Sequence, residues 1–116
     1  MTAPEVEAAI RAHAMTLPGA YEDRPWGHPV FKLPPNRVFV FMSEAQDPVK
    51  VTVKLDAEER EAALTQPFIA VAKYVGRYGW VTVDVVDGDV LTMVLDWVAE
   101  SWWLKASAAQ RQLLEP

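Results

Sequence analysis

The chain has 116 residues, 51% hydrophobic and 23% charged, which suits one domain over 1–116 that buries a core without help from metal or disulfides. It contains no cysteine, so thiol nucleophiles, disulfides and Cys-ligated zinc are excluded. A net charge of -5 weighs against a polyanionic partner, because affinity for a polyanion comes mainly from Lys and Arg.

The first helix has a clear start. Thr2 and Glu5 stand at capping-box spacing, and Pro4 falls in the first turn, where a missing N–H costs little. Val6, Ile10 and Leu17 then share a helical stripe, and Pro18-Gly19 ends it. The segment up to Ile10 carries Glu5 and Glu7 and lacks the basic and apolar run of a signal peptide. No stretch approaches the ~20 apolar residues of a membrane span. A cytoplasmic protein with no membrane partner is expected.

A β region follows. Val30 to Leu33 leads into Pro34-Pro35-Asn36, a turn signal, and Val38 to Met42 continues as an apolar strand, so the two read as a hairpin. Tyr21 to Trp26 could supply a further strand. Val49 to Leu55 alternates strictly, with Val49, Val51, Val53 and Leu55 on one side and Lys50, Thr52 and Lys54 on the other. One sheet face is therefore core, and the other is wet and cationic.

Asp56 with Glu59 predicts a capped helix to about Leu64. Residues 68–79 show no regular period, and Gly76 and Gly79 interrupt them. Trp80 to Val85 alternates again. Asp87-Gly88-Asp89 turns the chain into a last helix from about Val90 to Leu104, and residues beyond it read as further, fraying helix. Leu91, Val94, Leu95, Val98 and Trp102 form that helix's stripe, while Val90, Met93, Trp97 and Trp103 widen its apolar surface. The order is roughly α-β-β-β-α-β-α. Strands joined by turns favour an α+β fold with a mainly antiparallel sheet and helices on one face.

Catalytic signatures are absent. No serine lies in a Gly-x-Ser-x-Gly turn, and His13 reads as a solvated helix residue. Two distant histidines without cysteine give no metal-ligand spacing. Asp84, Asp87 and Asp89 read as a turn and a cap rather than a calcium loop, whose other ligands are missing. Neither phosphate-binding glycine motif occurs. No cofactor and no enzymatic activity are expected.

Two segments are unusually dense in charge and rings. One is Leu17 to Lys32, containing Arg24, Trp26 and His28. The other is Lys73-Tyr74-Val75-Gly76-Arg77-Tyr78-Gly79-Trp80, where cations alternate with rings and glycines. Such segments can bring cations and backbone N–H groups to an anion with rings beside them for stacking. They can equally be architectural. Charge is also segregated along the chain, with positive surpluses in 24–54 and 73–80 and negative ones elsewhere.

Leu17-Pro18-Gly19, Trp26-Gly27-His28-Pro29-Val30-Phe31-Lys32, Val53-Lys54-Leu55, Tyr78-Gly79-Trp80-Val81 and Glu100-Ser101 occur in an order that resembles the MmcQ/YjbR family. The resemblance implies an α+β fold similar to type III secretion chaperones and a DNA-binding role through a double wing of β-hairpins. It implies no catalytic residues. The leading expectation is a DNA-binding or regulatory domain. Arg24, Lys32, Arg37, Lys50, Lys54, Lys73 and Arg77, with His28, would face phosphates, and Trp26, Tyr78 or Trp80 would stack. The alternatives are a protein-binding or self-associating module acting through the apolar last helix, and a small anionic ligand near Arg24, His28, Lys73 and Arg77.

Overall fold

The computed structural model describes residues 1–44 and 46–114. Helix α1 (Ala3–Met15) opens on the expected capping box, with Thr2 Oγ1 accepting from the Glu5 N–H. Six strands follow in one antiparallel sheet: β1 (Tyr21–Asp23), β2 (Val30–Leu33), β3 (Arg37–Met42), β4 (Val49–Lys54), β5 (Ile69–Val71) and β6 (Trp80–Val85), in spatial order β1-β2-β3-β4-β6-β5. Helix α2 (Ala57–Ala63) joins β4 to β5, and α3 (Gly88–Lys105) and α4 (Ala108–Gln112) close the chain. Among the described residues, no helix is long and apolar enough to cross a membrane.

Period-2 alternation decides the faces of the middle strands. Val40, Val53 and Val81 lie in cross-strand register, as do Met42, Val51, Val83 and Ile69, and all are buried. Helices α1 and α3 cover this face with Val6, Ile10 and Ala14, and with Val90, Val94, Val98 and Trp102. Each such side chain contributes about 1.5–3 kcal/mol through loss of water contact. Ser101 locks α3 to the sheet: its Oγ accepts the Lys54 N–H at 2.9 Å and donates to the Phe39 carbonyl at 2.6 Å.

Four expectations are corrected or completed. Residues 69–71 form edge strand β5, followed by a 3-10 turn over Gly76–Tyr78, where three-residue elements are too short to show a period. Helix α3 ends at Lys105, and the further helix expected after it is a separate element. Ser107 starts α4 with its own capping box to Gln110. The apolar excess of α3 is used inside the molecule. Trp97 is buried and its indole N–H donates to Glu59 at 2.7 Å, while Trp103 is half-buried beneath the Arg111 guanidinium at 4.8 Å. Both rings that widen the apolar surface of α3 thus have contacts within the chain. His13 is half-buried rather than solvated, and its Nε2 lies buried without a hydrogen-bond partner. Asp87 acts as the expected cap, accepting from the Val90 N–H at 2.9 Å.

Candidate nucleic-acid interface

The predicted cations divide into two groups. At the β1–β2 corner they serve the fold. A register shift between Phe31 and Lys32 breaks the alternation of β2, and all four of its residues are buried, Lys32 included. A buried ammonium needs partners, and Lys32 Nζ donates to Asp23 Oδ2 and Asn36 Oδ1, both at 2.7 Å. The Lys32 hydrogen bond, followed by that from the Arg24 N–H, holds the Asp23 carboxyl below the usual carboxylate range. Arg24 lies between Glu44 and Glu22, and Glu22 also takes Arg11 at 2.8 Å. Lys32 and Arg24, both expected to face phosphates, are thus engaged by carboxylates of the chain itself.

On the open face of the sheet the balance differs. Lys50 pairs with Asp84 across the strands at 2.6 Å. Lys54 and Lys73 reach no carboxylate among the described residues. Arg77 lies over the Tyr78 ring at 4.8 Å and donates to its hydroxyl. Arg37 donates to the carbonyl of Lys105 at 3.1 Å. The acids concentrate on the helices, as Glu5 and Glu7 on α1, Glu58, Glu59 and Glu61 on α2, and Asp89, Asp96 and Glu100 on α3.

Between the β1–β2 connection and the chain after β5 runs a groove of about 790 Å³, within the range of small-ligand sites. Its floor is Phe41, Thr52 and Thr82, in register across β3, β4 and β6, with the two threonine hydroxyls hydrogen-bonded at 2.7 Å. One wall is Trp26 and His28, with ring centroids 6.0 Å apart, and Trp26 stacks on Phe41 at 6.3 Å. Gly27, at φ 86°, permits the tight turn that carries them. The other wall is Val71, Lys73, Tyr74 and Val75. There the Val75 N–H bonds to the Lys73 carbonyl at 2.7 Å and closes a three-residue turn on Tyr74 at φ 67°. Such γ-turns are rare and strained in L-residues. The turn leaves Tyr74 95% exposed. Among the described residues no carboxylate lines this groove, while Glu44 lines the adjoining pocket that shares His28, Phe41, Lys50, Thr52 and Thr82.

The stacking residues are redistributed accordingly. Trp26 is 65% exposed and available. Trp80 is buried, edge-on to Phe41 at 5.4 Å, and offers no free ring face. Tyr78 is exposed but carries Arg77. Tyr74, Phe41, Thr52 and Thr82 line the groove beyond the residues expected from the sequence. Tyr74 lies inside the ring-and-cation segment, whose composition is the signal for it. The others needed the strand register.

A family model described as YjbR matches residues 15–104. No curated protein matches the chain. Among solved structures, the chain is similar to Deinococcus radiodurans protein DR2400, described with the family-model domain DUF419. The TM-score is 0.75 and the identity 26%, over 90% of this chain and 84% of that one. A protein from Pseudomonas syringae shares the fold at a TM-score of 0.64 and 14% identity, over 91% of this chain and 100% of that one.

Proposed function

The chain belongs to the YjbR family, and from that premise we propose that it is a non-enzymatic nucleic-acid-binding domain that lays a single strand across the open face of its sheet. One observation carries this reading. Exposed rings, Trp26 and Tyr74, flank a groove whose rim bears Lys73 and His28, with Lys50 beside them paired to Asp84, while the acids among the described residues concentrate on the helices. Rings beside cations suit unpaired bases, because every base offers a π-face and its phosphate follows the positive rim. A duplex hides its base faces and would leave Trp26 and Tyr74 unused.

Fluorescence anisotropy with single-stranded and duplex DNA of one sequence at low salt tests this. Single strands should bind weakly and more tightly than duplex, with log affinity falling against log salt at a slope of about -2 to -3 for three or four phosphates. Trp26→Ala should weaken binding by roughly tenfold or more, one base stack being worth ~1–3 kcal/mol. Absence of single-strand binding above ~10⁻⁴ M protein ends the proposal. Affinity that does not rise with strand length would replace the strand by a free nucleotide.

A further inference from the structure

At one end of the sheet, β3, β4 and β6 meet the C-terminus of α3. Arg37 is the first residue of β3, Lys54 the last of β4, and Lys105 the last of α3. Trp80 ties them together. It stands opposite Lys54 in register, and Lys105 Nζ lies 6.0 Å from its ring centroid. Arg37 donates to the Lys105 carbonyl at 3.1 Å, and the Lys54 N–H is fastened to Ser101 in α3 at 2.9 Å. Hydrogen bonds thus tie the Arg37 guanidinium and the Lys54 backbone to the C-terminal end of α3.

None of the three forms an ion pair among the described residues, although the chain has 16 acids against 11 Lys and Arg. The nearest carboxylate on α3, Glu100, turns to the Asp56 N–H at 3.2 Å instead. Like charges gathered this way repel, and partial burial strengthens the repulsion. Burial first, then Lys54 and Arg37, hold the Lys105 ammonium below the usual lysine range. An anion placed among them removes that penalty.

We propose that Arg37, Lys54 and Lys105 form an oxyanion cradle that takes a phosphate group. Phosphate suits it better than a halide. The Arg37 guanidinium can present a planar pair of N–H donors, and the two ammonium groups supply point charges to the remaining oxygens. The cradle is separated from the groove by Trp80, which contacts Phe41 of the groove floor. It does not depend on the single-strand reading.

The test is a titration of the ¹⁵N-labelled protein with inorganic phosphate, against sodium chloride at matched ionic strength, following the Trp80 indole N–H. A saturable shift with phosphate alone is expected. Lys54→Gln and Lys105→Gln should each weaken it about tenfold or more, as loss of a charge-assisted hydrogen bond implies. Trp26→Ala should leave it unchanged, so failure of the cradle and failure of the groove are distinguishable. Lys54→Gln keeps the test decisive if Lys105→Gln folds poorly. A drift shared with chloride, or equal saturation in Lys54→Gln, overturns the cradle. Comparing a 5′-phosphorylated oligonucleotide with its unphosphorylated twin identifies the source. Tighter binding of the first places the phosphate on a strand end, and equal binding leaves free phosphate as the occupant.

Discussion

The two faces of the sheet use tryptophan in opposite ways. On the helical side, Trp97 and Trp102 are buried and each indole N–H has an acceptor, Glu59 at 2.7 Å and the Pro18 carbonyl at 3.0 Å. On the open side, Trp26 is mostly exposed, touches Phe41 and His28 through its ring, and has no hydrogen bond among the described residues. A ring whose polar end is satisfied inside the fold belongs to the core. One held mostly in water and braced only by neighbouring rings is available to a ligand. The cations repeat the contrast, since Lys32 is buried and paired while Lys54 and Lys73 reach no carboxylate.

Substitutions on the two faces should therefore differ in kind. Trp102→Ala removes a fully buried ring and should cost about 3–5 kcal/mol in urea unfolding. Ser101→Ala is next. It strands the Lys54 N–H and the Phe39 carbonyl together and should cost about 1–3 kcal/mol. If either change proves neutral, the helical face is not the load the comparison assigns to it.

Acid titration sharpens the comparison at a finer level. The Asp23 pKa is depressed in the folded state, so its contribution is complete above the unfolded value near 3.8 and is lost as pH falls through the folded pKa. Asp23→Asn should flatten the fall in stability below about pH 4. Glu100 has the opposite sign. Burial raises its pKa, so ionisation opposes folding as pH rises from 4.5 through the folded pKa. Glu100→Gln keeps an acceptor for the Asp56 N–H and should make the protein slightly more stable at pH 7 than at pH 4, relative to the parent. Thermal midpoints across pH 3–8 check both directions. The smallest effect is on the open face, where Trp26→Ala should change stability by less than ~0.5 kcal/mol while weakening strand binding.

Much of the architecture can be read along the chain because local chemistry dictates it. Strict alternation in Val49–Lys54 and Trp80–Val85 leaves one buried face, and Thr2, Asp56 and Asp87 cap helices through oxygens three residues from the N–H they serve. The α+β sheet with α1 and α3 on one face follows from these. The site was legible only in part. Trp26, His28, Lys50 and Lys73, all expected from the sequence, line the groove. Trp80, expected to stack, is buried, because a strand's period tells which face a ring occupies and not what covers it.

What local order settles here is where helices and strands begin and which side of each strand is apolar, since caps and alternation act within a few residues. Which charges remain available was settled by contacts between distant parts of the chain. Lys32 met Asp23 through a register shift in β2, and Lys105 came from the end of α3 to lie beside Arg37 and Trp80 at the sheet's end. Electrostatic and ring contacts depend on distance in space, and residues 68 positions apart come within hydrogen-bonding range only after the sheet and helix have packed.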